Sequence, residues 1–189
     1  MSKHIDSTFK PCAQVKFANS TDEFLDVING SPKNEYLLYD EEDKTCPLPG
    51  ISVDDRYPPK KYFYIQAEDG EIIAAKTLRE SPNNSEVIWS MGTAVHPDHR
   101  NQGYSKSLIH AAMQYVTTLG RIYAPSDFSD DGWDYLANVY SELHRDFPSL
   151  RILYSDDESD DAIKRLTVTG EQPYKLERRR HGCPEVIIG

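Results

Sequence analysis

Residues 95–109 read Val95-His96-Pro97-Asp98-His99-Arg100-Asn101-Gln102-Gly103-Tyr104-Ser105-Lys106-Ser107-Leu108-Ile109, and what stands on either side of this stretch decides the fold. Upstream, Val87 to Val95 is rich in apolar and β-branched residues and is stopped by Pro97, which predicts a strand. Downstream, Leu108, Ala112 and Val116, with Ile109 and Met113 beside them, repeat at helical spacing and predict a helix from Tyr104 to Thr118. A strand therefore runs through a tight polar loop straight into a helix. The first N–H groups of a helix lack intrahelical partners and its dipole places partial positive charge there, so the loop suits an anion. Gly103, with no Cβ, allows close approach to the backbone, Arg100 and Lys106 offset negative charge, and Ser105 adds a hydroxyl.

Working outward, Lys61 to Ala67 and Glu71 to Arg79 are β-prone runs separated by Glu68, Asp69 and Gly70, and the Asp-Gly pair supplies hairpin chemistry. Ser20 followed three residues later by Glu23 is a capping-box pattern, and Phe24, Leu25 and Ile28 give a short helix its apolar stripe up to Gly30. Residues 31–60 hold five prolines and an acidic cluster, which predicts a long loop with at most one strand, around Tyr36 to Tyr39. Beyond the central helix, a strand is expected near Arg121 to Ala124. A further helix is expected over Asp131 to Arg145, with Trp133, Leu136, Ala137, Tyr140 and Leu143 on one face and Ser129 or Asp130 as its cap. Leu150 to Tyr154 and Arg165 to Thr169 supply a final pair of strands joined by an acidic connection, and residues 171–189 form a tail with a basic run, Lys175 to Arg180, that covers the sheet or meets a partner chain.

Composition bounds the function. The chain has 189 residues, 38% hydrophobic and 28% charged, the balance of one globular domain. A net charge of -10 argues against nucleic acid as a partner. No stretch approaches the ~18 consecutive apolar residues of a membrane span, and the polar start MSKHIDSTFK lacks a signal peptide's apolar core, so a cytoplasmic location with no membrane attachment is expected. Cys12, Cys46 and Cys183 lie far apart and form no metal-ligand cluster with histidines; reduced thiols and no metal are expected.

The stretch VHPDHRNQGYSKSLI resembles the signature of the GNAT superfamily of N-acetyltransferases, in which a strand ending V-x-P precedes R/Q-x-x-G-x-G/A and a helix. Arg100, Gly103 and Ser105 occupy the three defining positions, Ser105 standing where the family usually has Gly or Ala. The order of elements agrees over most of the chain. The resemblance implies a single α/β (α+β) domain over residues 1–189, with a mixed, mostly antiparallel central sheet of about six or seven strands flanked by helices. It further implies acetyl-CoA as acyl donor and direct transfer to an amine, with Arg100, Asn101, Gln102, Gly103, Tyr104, Ser105 and Lys106 around the pyrophosphate. Thr93, Ala94 and Val95 would lie along pantetheine, on a strand that splays from its neighbour. Dimers are common among such proteins, which leaves a homodimer open.

Catalysis of this kind needs an acid for the departing thiolate and a base for the amine. Tyr140, in VYSELHRDF, matches the tyrosine that serves the family as general acid, and a phenol titrating near ~10 keeps its proton at neutral pH. Trp133 stands where the family often has asparagine. Glu86 and His96, at the two ends of the signature strand, are the candidate bases. His110 and His144 are expected to be packed or solvated. Two other readings stand beside the enzyme: a GNAT-like module without catalysis serving an assembly, and an acidic module that binds basic proteins. A dinucleotide-binding fold would want G-x-G-x-x-G beside a parallel strand, whereas this chain has a hairpin.

Overall fold

A computed structural model describes residues 10–38, 48, 51, 61–125, 133–155, 157–178 and 185–188. A seven-stranded sheet takes its strands in chain order: β1 (Lys16–Ala18), β2 (Lys61–Gln66), β3 (Ile72–Glu80), β4 (Val87–Val95), β5 (Ile122–Ala124), β6 (Arg151–Leu153) and β7 (Thr167–Thr169). The pairs β1/β2, β2/β3, β3/β4 and β6/β7 are antiparallel. The pairs β4/β5 and β5/β6 are parallel. The parallel pairs need crossovers, and these are the helices α2 (Tyr104–Leu119) and α3 (Trp133–His144), which pack against each other.

Opposite these lies α1 (Thr21–Asn29), whose N-cap Ser20 accepts from the Glu23 amide while the Glu23 carboxylate reaches back to the Asn19 amide at 2.6 Å. The cap is thus shared with the residue before it. Phe24 stacks on Tyr62 with ring centroids 4.2 Å apart, and this seats α1 on the sheet. On the α2 face, Leu108, Ile109, Ala112, Met113 and Val116 are fully buried with Phe63, Ile65 and Leu78. With helices on both faces, every residue of β3 from Ile72 to Leu78 is buried and the period-2 alternation disappears.

The hairpin, the signature strand, both long helices and β5 stand within two residues of their expected limits. Three expectations are corrected. Pro32–Leu38 is a 3-10 helix and not the start of a strand; the Asn34 side chain binds the Ile72 amide and the Gly70 carbonyl, and this ties the segment down by its side chains. The acidic connection contains a helix, α4 (Asp160–Leu166), with Ser159 as N-cap, two aspartates in its first turn, and Lys164 and Arg165 in its last, which complements its dipole. Arg165 and Leu166, expected in the last strand, belong to that helix. The tail forms a hairpin, β8 (Tyr174–Glu177) with β9 (Glu185–Ile188), which lies against α3 through Leu176 and Tyr174. The expected caps Ser129 and Asp130 lie outside the described residues, as do Cys46 and Cys183, while Cys12 is a free thiol. No helix among the described residues is long and apolar enough to cross a membrane.

Candidate active site

The site grows from a mismatch in strand length. β5 pairs with β4 at Val87, Ile88 and Trp89, after which Pro125 follows, while β4 continues from Ser90 to Val95 with no strand partner on that edge among the described residues. A bulge at Met91, between the pairs Leu78/Ser90 and Thr77/Gly92, turns the strand further. The His96 amide donates to the Ile73 carbonyl at 2.8 Å. Alternation along an antiparallel ladder then commits the Ala94 amide to β3 and turns the N–H groups of Thr93 and Val95 toward the side that β5 has left. Arg100 confirms the direction, because its Nε reaches the Val95 carbonyl at 3.4 Å. Thr93 and Val95 therefore turn amides with no strand partner among the described residues to that side, whereas Ala94 presents a buried methyl group to the α1 side.

Past the strand, Pro97–His99 makes one 3-10 turn, and then Asn101 (φ 62) and Gly103 (φ 80) take left-handed conformations on either side of Gln102. Gly103 is the N-cap of α2 and provides no capping side chain, and the amides of the helix's first turn have no intrahelical carbonyl to bind. A Cβ at Gly103 would lie 3.5 Å from the Cys12 sulfur, an ordinary contact, but in a conformation that strains any L side chain; the glycine is required by backbone angle and not by space. An anion such as a pyrophosphate fits this concave run of amides. The flanking side chains are largely engaged elsewhere. Ser105 Oγ meets the Tyr135 hydroxyl at 2.8 Å, Lys106 bridges to Glu142 at 2.6 Å, and the Tyr104 hydroxyl donates to Gln102 at 3.0 Å. Arg100 is the exposed cation at the mouth.

At the point where β4 and β5 part lies a buried polar cluster. The Tyr140 hydroxyl sits 2.9 Å from that of Tyr123, and Ser90 is a hydrogen-bond partner of both phenols. Burial pushes Tyr140 up to about 12 and Tyr123 well above the ordinary phenol value. Tyr140 is thus a weaker acid than a free phenol. Next to it, Lys76 of β3 is 0% exposed; its Nζ donates to Ser90 Oγ at 2.5 Å and to Thr93 Oγ1 at 2.8 Å, and burial lowers it from 10.5 to about 7.

The candidate bases fare differently. Glu86 precedes β4 at the end opposite the splay, exposed and 3.9 Å from Arg151; seven residues of extended chain, about 23 Å, separate it from Thr93. The geometry does not bring it to the site. His96 stands at the loop, where its Nδ1 accepts from the Asp98 amide at 3.3 Å and its Nε2 is 4.0 Å from Glu71. His144 is a fully buried structural residue, bonded to the Leu150 carbonyl and the Tyr174 hydroxyl. His110 is half-buried against Phe147. A cavity of about 340 Å³ adjoins the splay, lined by Trp89, Ser90, Met91, Ala124 and Glu158 among others, and Glu158 accepts from the Trp89 indole and the Ser81 hydroxyl. Sequence reasoning missed Lys76, Ser90 and Glu158. No group of three or more possible metal ligands occurs among the described residues.

Comparison with known proteins bears on the same segment. The sequence model described as the Acetyltransferase (GNAT) family matches residues 22–131, more than half of the chain. The UPF0039 proteins of Mycobacterium bovis and Mycobacterium tuberculosis are 27% identical over 105 residues, which is 50% of this chain and 67% of theirs. Among solved structures, the catalytic domain of Tetrahymena GCN5 histone acetyltransferase in complex with coenzyme A has 12% identity and a TM-score of 0.45, over 93% of this chain and 92% of that one. An IAA acetyltransferase from Bacillus cereus has 17% identity and a TM-score of 0.43, over 68% of this chain and 73% of that one. Likenesses of that size carry nothing about substrate.

Proposed function

Because the chain belongs to the Acetyltransferase (GNAT) family, we propose that it transfers an acetyl group from acetyl-CoA to a primary amine by direct attack. The observation that supports this best is the alignment of two donor sets on one strand-loop-helix unit: the outward amides of Thr93 and Val95, and the uncapped N-terminus of α2 behind Gly103. When bound, acetyl-CoA supplies an acyl group activated as a thioester. The loop amides of residues 103–106 and the Arg100 guanidinium hold its pyrophosphate, and the Thr93 and Val95 N–H groups line the pantetheine and polarise the thioester oxygen. Tyr140, at the apex of the splay, donates a proton to the departing sulfur. The cavity beside Trp89 and Met91 receives the acceptor. Its small volume favours a side chain or small amine entering end-on.

Calorimetric titration with acetyl-CoA and with desulfo-CoA, on the wild-type protein and on Ser105→Glu, tests the reading. Glutamate at this first-turn position suits the helix dipole, so the variant keeps its fold, yet it places a carboxylate where the pyrophosphate must sit. A Gly103 variant would be less informative, because its backbone angle is strained for any other residue. Binding by the wild type and its loss in the variant, at unchanged thermal unfolding, is the expected result. A folded wild type that binds neither ligand would overturn the donor assignment and favour a family member kept for assembly.

A further inference from the structure

Lys76 is the one strand residue of Ile72–Leu78 that carries a charge, and it lies in the layer where β3 meets α2, whose buried residues are Ser107, Leu108, Ile109, Ala112, Met113 and Val116. None of these can balance an ammonium. The residue opposite on β2 is Phe63, and no carboxylate lies within ion-pair distance of Nζ among the described residues. Its hydrogen-bond partners are the hydroxyls of Ser90 and Thr93 on β4. A neutral amine has two N–H groups and these two acceptors satisfy both; an ammonium would keep a third, which among the described residues has the Tyr123 ring, 5.9 Å from Nζ to its centroid, to face. Count and burial agree that the amine form is the comfortable one, and the lowered proton affinity of this lysine, about 7, follows from the same desolvation.

The two hydroxyls that hold it have different surroundings. Thr93 belongs to the stretch whose amide faces the splay, and Ser90 is the first β4 residue beyond β5 and joins the Tyr123 and Tyr140 phenols. Tyr154, behind them, is buried and feels both phenols. The arrangement answers a difficulty within the site. A phenol raised to about 12 is a poor donor to a thiolate, whose proton affinity is that of a thiol near ~8.5; the transfer is uphill by a factor of more than roughly a thousand unless the phenol is resupplied as it gives its proton up.

We propose that Lys76 is the proton store of this site, taking a proton through Ser90, which lines the acceptor cavity, and returning one through the same hydroxyl to Tyr140 on the sulfur side, while Thr93 holds the amine in place. The proposal rests on the acyltransferase reading above. As the acceptor nitrogen closes its bond to the acyl carbon and the carbon–sulfur bond opens, the nitrogen's proton passes through the Ser90 hydroxyl to Lys76. A proton from Lys76 passes through Ser90 to Tyr140, which gives its own to the sulfur. One proton has moved from nitrogen to sulfur, each hydroxyl and the lysine end as they began, and nothing is oxidised or reduced. Lys76 touches no substrate; it works through its neighbours.

The test follows the lysine itself and then the thiol. The full chain carrying isotope-labelled lysine is titrated by NMR from about pH 5 to about pH 11, alone, with CoA, and with desulfo-CoA, which lacks the thiol. The ultraviolet absorbance of bound thiolate is then read for CoA on the wild type and on Lys76→Met. In the free protein, Lys76 is expected to lose its proton at a proton concentration at least a hundredfold above that of exposed lysines, near ~10.4. CoA, and not desulfo-CoA, is expected to move that titration, and thiolate is expected to appear at least tenfold higher in proton concentration in the wild type than in the variant. A Lys76 that titrates with the exposed lysines overturns the proposal whatever the variant does. So does a lysine titration indifferent to the thiol, or thiolate appearing at the same pH in both proteins. CoA that fails to bind at all overturns the donor reading and the relay with it, while the lysine's own titration in the free protein stands as a separate result.

Discussion

Replacing Lys76 by Met offers the sharpest test of the buried cluster, because its effect must depend on pH in a way no packing change can imitate. Folded Lys76 gives up its proton near 7, whereas in the unfolded chain the same group holds it until 10.5. Between those values the unfolded chain binds one proton more, so wild-type stability rises with pH there, by up to about 1.36 kcal/mol per unit. Below about 7 the folded state carries the whole cost of a buried ammonium, and the gap between 10.5 and about 7 converts to about 5 kcal/mol. Met keeps the length and apolar volume of the side chain but leaves the Ser90 and Thr93 hydroxyls short of a donor, at about 1–2 kcal/mol independent of pH. The variant is therefore expected to be more stable than the wild type by about 3 kcal/mol near pH 6, with the advantage shrinking by about 4 kcal/mol by pH 10 and turning to a deficit. Urea unfolding of both proteins at intervals across that range measures the difference directly. Parallel stability curves would refute the reasoning, since they would mean that Lys76 keeps its ordinary proton affinity inside the fold.

Other consequences can be checked with the same protein. Tyr140→Phe removes a hydroxyl from a cluster that stays packed, and is expected to lower kcat by about 10²-fold or more while leaving the KM for acetyl-CoA unchanged, in turnover assays with whichever primary amine a screen identifies. Burial lowers the proton affinity of His144 from 6.5, so its contribution is complete above 6.5 and is lost as pH falls through the folded value; His144→Gln, which cannot titrate, is expected to show a shallower acid limb in urea melts. Leu108→Ala empties a fully buried position under the sheet and is expected to cost about 2–5 kcal/mol, read as a fall in Tm.

The chain declared its central unit openly. Val87 to Val95 has no competing periodicity, Pro97 ends it, Gly103 stands at the turn, and Leu108, Ala112 and Val116 cannot form anything but a helix face. These are local signals, and local physics decided them. Pro32–Leu38 went the other way because its conformation is held by Asn34 reaching the backbone of Gly70 and Ile72, contacts 36 and 38 residues distant that no local window contains. α4 was hidden by its length, seven residues with one buried side chain, too short to establish an apolar face.

Lys76 is the more instructive omission. In the run Ile72-Ile73-Ala74-Ala75-Lys76-Thr77-Leu78, a lysine on a hairpin strand reads as the solvent-facing member of an alternating pattern. The pattern does not alternate, however: apolar side chains occupy both parities, which is the mark of a strand covered on both faces. Helices α1 and α2 provide that cover. A cation in such a strand has no route to water, so it must find an anion, find acceptors for a neutral amine, or be absent. The signal was in the sequence, in what surrounds the lysine and not in the lysine. The same logic separates Glu86 from Tyr140 as candidate site residues. Glu86 precedes a strand that starts out paired on both edges, at Ile88 and Trp89, and it lines a separate pocket with Arg151 away from the splay, whereas Tyr140 faces the place where pairing stops. What makes the site is the three-residue length of β5, and the chemistry gathers wherever that shortness leaves β4 alone.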